Sequence, residues 1–463
     1  MRGRLLLGIL VLTVLPACRG GAPEAARARS VIVVDIDTLR ADHLGTYGYE
    51  RATSPNLDAF ARRGVRFEWA FSQAPYTLPS QTSILTSLYP SRHLVLHDGD
   101  RLAPERVTLA ERFAAAGFTT GAFVDGGYLK AHFGLDQGFA TYFDLNGGGV
   151  REGEPRIREW LERHRTERFF LFLHTYDVHT PYAPPEPFHG RFAQLVAPPS
   201  PGFAPTSEAL EAVRLSQYGP APVRLPENDL AYAEALYDGE IAYVDEWFGR
   251  LMAALAELGL ADSTVVAVVS DHGEEFGEHG SLLHEKLYTS VTRVPLLLAG
   301  PGLERGASVA AVVETIDLAP TLLELAGVAV PATPDAASPS EAAMEGRSLL
   351  AEISGAAPDG AGAGTESTAV LESPFFGVQR SWVDGTHHLI VSLASGRAEL
   401  YRYREDRDEQ HDLAVGAPEE LRPLLAKLRR WSRDRPAATL LEREKVQLPP
   451  EVEASLRALG YLQ

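Results

Sequence analysis

Three hydrophobic runs in this chain end in acidic or imidazole side chains, and those endings are where chemistry is to be sought. Val31-Ile32-Val33-Val34 passes directly into Asp35-Ile36-Asp37. The run Thr264 to Val269 ends in Ser270-Asp271-His272-Gly273. The run Phe169 to Leu173 ends in His174-Thr175-Tyr176-Asp177-Val178-His179. A strand alternates faces with period two, so Asp35 and Asp37 project to one side at the strand's C-terminal end. Open α/β sheets bind ligands at that edge. Any one of these carboxylates alone would ordinarily be a cap or a solvated charge. Three runs delivering Asp and His to one rim make a divalent-metal site by ligand type. Imidazole suits Mn²⁺ or Zn²⁺, whereas Ca²⁺ prefers oxygen ligands, and one ion of these three kinds is expected.

Between the first two endings lies Pro75-Tyr76-Thr77-Leu78-Pro79-Ser80-Gln81. Pro79 suits the first turn of a helix, which puts Thr77 at or just before the helix N-terminus. Backbone N–H groups and the helix dipole favour an anion there. An isolated threonine in this position is an N-cap; beside a metal rim it is a candidate nucleophile.

The elements that must position these groups alternate in type. The three β-branched or aromatic runs read as strands buried on both faces, with a fourth near Pro295-Leu296-Leu297-Leu298. Ser54-Pro55 opens a helix that Gly64 closes. The longest helix runs over roughly 228–258, with Tyr237, Ile241, Val244, Phe248, Leu251, Leu255 and Leu258 at helical spacing. The fold class is therefore α/β, a mostly parallel central sheet with helices on both faces. Residues 183–226, rich in Pro and Ala, read as a surface excursion near the sheet end, and 331–366 as a loop or linker. The catalytic α/β domain is expected over 31–330. Short strands near 368–371, 388–391 and 398–401, followed by a helix at about 418–433, place a small antiparallel sheet with a helix in 367–463.

The chain has 463 residues and a formal net charge of -19, so nucleic acid is excluded as a partner. An anionic substrate is not, because a bound metal inverts the local field. Arg2 and Arg4 precede the apolar run Leu5 to Leu15, which is too short to span a bilayer and has the length of a signal-peptide core. Leu15-Pro16-Ala17-Cys18 resembles a bacterial lipobox, and Cys18 is the chain's single cysteine. Residues 1–18 are thus expected to be a lipoprotein-type signal peptide and 19–30 a tether. The protein would then be exported and held at the membrane of the periplasm or cell envelope by lipid on Cys18.

Taken in chain order, the motifs resemble the sulfatase family of the alkaline phosphatase superfamily. Asp37-Thr38-Leu39-Arg40-Ala41-Asp42, Ser54-Pro55-Asn56-Leu57-Asp58 and Leu85-Thr86-Ser87-Leu88-Tyr89-Pro90-Ser91-Arg92-His93 carry the resemblance. So do Asp177-Val178-His179-Thr180-Pro181-Tyr182 and, most specifically, Asp271-His272-Gly273-Glu274-Glu275-Phe276-Gly277-Glu278-His279-Gly280. The resemblance implies a metal-dependent hydrolase of sulfate, phosphate or phosphonate esters. Asp37, Asp271 and His272 fall on metal ligands, Thr77 on the nucleophile that also touches the metal, and His179 on a substrate-binding or acid histidine. His284 falls where many sulfatases have a lysine that contacts the transferred group. Asp35 has two open roles, a further metal-site charge or a buried hydrogen bond, because Thr38 follows Asp37 where family members often have a second aspartate. The chain departs from the sulfatase pattern Cys/Ser-x-Pro-Ser-Arg at Thr77 and Gln81. Threonine cannot become formylglycine, so no such cofactor is expected. Threonine here is similar to the phosphoglycerol and phosphoethanolamine transferases of the superfamily. Two alternatives therefore stand beside hydrolysis: transfer of an envelope head group, and a catalytically silent metal-binding lipoprotein. The substrate would be a small molecule or a glycan or lipid ester.

Overall fold

The computed structural model describes residues 28–331, 343–355, 367–376, 378–434 and 443–459. The signal segment, Cys18 and residues 19–27 lie outside the described residues, as do 332–342 and 356–366 of the expected linker. Among the described residues no helix is long and apolar enough to cross a membrane.

Ten strands belong to the large domain: β1 (Ser30–Ile36), β2 (Val65–Phe71), β3 (Thr119–Val124), β4 (Thr141–Asp144), β5 (Phe169–Thr175), β6 (Thr264–Val269), the two-residue pair β7 (Glu275–Phe276) and β8 (Leu282–Leu283), β9 (Arg293–Ala299) and β10 (Ala307–Glu314). Eight form one sheet in the order β10-β2-β9-β6-β1-β5-β3-β4. All of its pairs are parallel except those made by β9, which runs antiparallel between β2 and β6. The mostly parallel sheet read from the sequence is therefore present. β1 sits between β5 and β6, with Asp35 in register with His174 on one side and Val269 on the other.

Alternation along β1 sorts its side chains into two cores. Ile32, Val34 and Ile36 pack with Tyr237, Ile241, Phe248 and Leu255 of the helix Glu227–Glu257. Val31 and Val33 face the opposite core, with Phe170, Phe172, Ile84 and Leu85. Burying an aliphatic side chain of this size contributes roughly 1.5–3 kcal/mol. The same strand carries two carboxylates out of water, each costing several kcal/mol after relaxation. The apolar residues of β1 and its neighbours offset that cost, so the strand's hydrophobicity and its acidic end belong to one design.

The C-terminal part holds β11 (Ala369–Ser373), β12 (Gln379–Val383), β13 (His388–Ser392) and β14 (Ala398–Tyr401), an antiparallel sheet in chain order. The helix Pro418–Asp434 covers one face through Leu424, Leu428 and Trp431. The other face docks on Trp69, Phe71 and Val312 of the large sheet. At that junction His388 is fully buried between the Glu409 carboxylate (Nδ1 to Oε1, 2.5 Å) and the Ser381 hydroxyl (Nε2 to Oγ, 2.7 Å). The second oxygen of Glu409 accepts the Thr289 backbone N–H at 2.8 Å, tying the small sheet to the segment before β9.

The structure shifts several boundaries. Ala28 to Ser30, expected in the tether, already join the fold: the Ala28 N–H donates to Leu325 O at 2.9 Å and Ser30 starts β1. Residues 343–355, expected within a linker, bury Met344 and Leu349 in the main core. The helix Pro450–Ala458 belongs to the large domain rather than to the C-terminal sheet. Its i, i+4 pair Val452 and Leu456 forms a short apolar stripe that only the main core covers. Residues 183–226 contain two helices, Phe188–Ala193 and Ser207–Ser216.

Replacing Glu409 by alanine removes the acceptor from two buried donors, His388 and the Thr289 N–H. An unmet buried donor costs about 1–3 kcal/mol. Urea unfolding of Glu409→Ala is expected to show a loss of at least that size, while a surface control such as Glu419→Ala leaves the midpoint in place.

Candidate active site

β1, β5 and β6 bring their C-terminal ends together, and Asp37, Asp271 and His272 meet there with one ligand atom each, all within 4.8 Å of one another. All three are fully buried, as are Asp35 and Thr77. The backbone holds Asp37 by a turn at Thr38, whose φ of 55° is unusual for a β-branched residue. Two contacts stabilise it: the Thr38 hydroxyl donates to Val178 O at 2.9 Å, and Tyr237 O–H donates to Thr38 O at 2.7 Å. After His272 the chain passes so close to Ser290 that a Cβ on Gly273 would lie 2.2 Å from its carbonyl oxygen, which explains the glycine of the Asp-His-Gly run.

Thr77 is the first residue of the helix Thr77–Thr86, which is buried along its whole length. Its internal hydroxyls are tolerated because they are bonded: Thr82 to Leu78 O at 2.7 Å, Thr86 to Thr82 O at 2.6 Å, and Ser83 to His93 Nε2 at 3.1 Å. The N-terminus points at the cluster. Thr77 Oγ1 donates toward Asp37 Oδ2 at 3.3 Å and lies 3.2 Å from His272 Nε2. One turn on, Ser80 Oγ reaches Asp271 Oδ2 at 3.4 Å.

The imidazoles have assigned faces. His272 Nδ1 donates to Gly273 O at 2.9 Å, which leaves the Nε2 lone pair aimed at Asp37, Asp271 and Thr77. His179 Nδ1 donates to Thr180 O at 2.7 Å, and its Nε2 faces His284 Nε2 at 3.3 Å. The His284 ring lies 4.2 Å from the His272 ring, centre to centre, so His179 and His284 form the wall next to the cluster. Burial pushes the pKa of all four histidines at the site down, to about 3 for His174 and His179.

The carboxylates are under the opposite pressure. Burial and the charge of Asp271 push the Asp35 and Asp37 carboxyls well up, and burial raises Asp271 against the lowering effect of His272. Asp37 Oδ1 meets no donor, and the Asp35 carboxylate meets only neutral ones, the Gln81 amide and the Asp271 backbone N–H, outside good hydrogen-bond geometry. The nearby Arg40 is committed to Asp42, Glu278 and Glu274 O. Buried charges without a counter-charge are the condition a cation relieves, and this donor set of carboxylate oxygens and one imidazole fits a divalent ion.

The structure thus brings Asp37, Asp271, His272 and Thr77 to one point and sets His179 and His284 beside it. Asp35 is adjacent but outside the three-residue cluster, lying against the Gln81 amide and the Asp271 carboxylate. His174 was given no role by sequence reasoning, yet its Nε2 lies 3.2 Å from Asp37 Oδ2. The signal was available: it sits two residues past Phe172 on the same face of β5, in register with Asp35. His93 holds Ser83 and has no contact with the cluster, while His279 bonds to Glu275 at 3.0 Å.

Fold and cluster together define an α/β enzyme-type site, a polar, cation-ready rim at a sheet edge with a hydroxyl at a helix N-terminus. The family model for sulfatases matches residues 29–328, and the chain belongs to that family. It is 27% identical to human (Homo sapiens) iduronate 2-sulfatase over 440 residues, covering 75% of this chain and 78% of that protein. It is 26% identical to an arylsulfatase of Clostridium perfringens, covering 65% of this chain and 76% of that one. Among solved structures, a protein in complex with its substrate D-glucosamine-2-N,6-O-disulfate superposes with a TM-score of 0.72 at 17% identity, covering 90% of this chain and 100% of that one. The phosphonate monoester hydrolase of Silicibacter pomeroyi gives 0.69 at 20%, covering 91% and 99%.

A cation that binds the cluster and not the unfolded chain stabilises the fold by about 2.7 kcal/mol at a hundredfold excess over Kd. Thermal unfolding with Mn²⁺, Zn²⁺ and Ca²⁺ in parallel is expected to show a rise in Tm with at least one of them. Asp271→Asn should lose most of that rise; an unchanged rise in this variant would place the ion elsewhere.

Proposed function

We propose that this chain is a metal-dependent hydrolase of phosphate, phosphonate or sulfate esters that uses Thr77 as its nucleophile. The observation that carries the reading is the position of Thr77 Oγ1, within 3.3 Å of both Asp37 Oδ2 and His272 Nε2 at the start of a buried helix. Asp37, Asp271 and His272 would hold one divalent ion, with Asp35 adding negative charge from behind. When bound, such an ion lowers the pKa of a neighbouring hydroxyl and polarises the ester oxygen.

The remaining steps belong to side chains of the protein. Thr77 O–H gives up its proton toward Asp37 Oδ2, which His174 also contacts, while Oδ1 of the same carboxylate is left for the ion. Thr77 Oγ1 bonds to phosphorus or sulfur as the bond to the ester oxygen breaks. Helix N–H groups stabilise the negative charge on the non-bridging oxygens. The leaving alcohol oxygen takes a proton from the His179–His284 pair, whose Nε2 atoms face each other. Burial disfavours the charged form of these imidazoles, so the proton is an extra one taken up from solvent with the anionic ester and held between the two Nε2 atoms. It passes to the leaving oxygen, and the second proton of the attacking water restores it. Water then attacks the Thr77 ester, the phosphoryl or sulfuryl group leaves as the free acid anion, and Thr77 regains its proton.

A threonine ester depends on water for release, whereas formylglycine hydrate can eliminate its group. That difference favours phosphate or phosphonate esters over sulfate. The fold is shared equally with a sulfatase and with phosphonate monoester hydrolases, so this preference rests on the nucleophile. The site stands at the cell envelope if Cys18 carries lipid.

Thr77→Ala is expected to lower kcat on an aryl phosphonate monoester by roughly a thousandfold or more, as loss of a nucleophile does, and chelator should abolish wild-type turnover. Full activity in both assays would end this mechanism. His179→Ala should cost about 10²–10⁴-fold with a nitrophenol ester's alkyl counterpart. It should cost far less with the nitrophenyl ester, whose leaving group needs no proton; equal losses on the two would remove His179 as the acid.

A further inference from the structure

We infer that the leaving group of the substrate is a small amine-bearing alcohol, cationic at neutral pH, received in the cavity on the outer side of His179 and His284. The inference rests on the ester-hydrolase reading above. That cavity has a volume of about 200 Å³ and opens directly off the two histidines. Its size suits a compact leaving group rather than a length of glycan.

One wall is aromatic. Tyr76, Tyr128 and Phe375 line it, and Phe375 meets the Tyr76 ring edge-on at 5.1 Å between centres. Phe376 stacks on Tyr218 at 4.8 Å with 5° between planes, and the Tyr218 hydroxyl donates to Glu285 of the lining at 2.6 Å. The lining is also acidic. Asp98, beside Tyr128, joins Glu211 and Glu285 and one cation, Arg214. Arg214 is already shared by two of those carboxylates, bonding Glu211 and Glu285. Its charge is therefore spent within the wall and does not offer itself to an anion. Asp98 accepts only a neutral partner there, the Tyr128 hydroxyl at 2.7 Å. Lys445 and Arg443 pair with Asp100. Lys286 donates to His279 O at 3.0 Å and keeps its charge, 5.8 Å from the Phe376 ring and outside the cavity lining.

Ring faces and the surplus of three carboxylates over one guanidinium attract an alkylammonium group and repel a second anion. The reacting phosphoryl or sulfuryl group is bound on the other side of the histidines, by the helix N-terminus and the proposed ion. The two ends of the substrate thus meet fields of opposite sign, and the His179–His284 pair marks the boundary between them.

The test uses the full chain with the metal that raises its Tm. Esters of choline, of its uncharged isostere neohexyl alcohol and of a carboxyalkyl alcohol are compared, with a nitrophenyl ester as reference, each as phosphonate and as sulfate. The expected result is a kcat/KM for the choline ester roughly tenfold or more above that of the neohexyl ester, with the carboxyalkyl ester slowest. Asp98→Asn and, separately, Glu285→Gln should each bring the choline-to-neohexyl ratio toward one. A wild-type ratio at or below one, or a carboxyalkyl ester turned over fastest, overturns the inference while nitrophenyl turnover leaves the hydrolase reading intact. No turnover of any ester, the nitrophenyl one included, removes both.

Discussion

Three carboxylates and two imidazoles share the buried end of three adjacent strands, and among the described residues no arginine or lysine is paired with them. The rest of the molecule is arranged around that imbalance. A parallel sheet covered on both faces supplies enough apolar burial to hold Asp35, Asp37 and Asp271 out of water. The same dryness makes their negative field strong, because little solvent screens it. A nearby arginine would relieve the strain and occupy the site. Arg40 is instead drawn away onto Asp42 and Glu278. Position 81 carries a neutral amide against Asp35. The rim is left with a standing demand for a cation.

The hydroxyl at the helix N-terminus gains its character from this setting. Thr77 stands where the helix dipole is positive and the cluster is negative. The tautomers follow from backbone acceptors: Gly273 O fixes the proton on His272 Nδ1 and Thr180 O fixes that on His179 Nδ1. Each ring thereby turns Nε2 inward, His272 toward Asp37, Asp271 and Thr77 and His179 toward His284.

The C-terminal sheet acts as a buttress. Its apolar face closes over Trp69 and Phe71, and Glu409 reaches back to the segment that precedes β9. The loop between β11 and β12 brings Phe375 to the cavity beside Tyr76. The region 183–226 supplies Glu211 and Arg214 to the same cavity. The pocket is therefore assembled from segments more than a hundred residues apart, while the rim is assembled from strand ends.

That division sets what could be read in advance. Period-two alternation and unbroken β-branched runs specified β1, β5 and β6 and the rim residues at their ends, because strand geometry alone fixes the face on which Asp35 and Asp37 emerge. The edge strands β4 and β10, and β2 and β3 beside them, were not read: β10 mixes exposed and buried positions and β4 is only partly buried throughout, so neither edge shows a clean pattern. His174 stands in a rim run legible in the sequence, but only its register with Asp35 and its contact with Asp37 give it a place in the site. The packing of Met344, Leu349, Val452 and Leu456 into the main core was likewise beyond reach, since short apolar pairs do not say which surface will cover them. The sequence by itself determined the fold class and the chemical types gathered at the sheet's edge. Only tertiary structure decided the distances among them, the direction in which each imidazole points and the acidic aromatic cavity, because those depend on contacts between segments whose separation along the chain carries no signal.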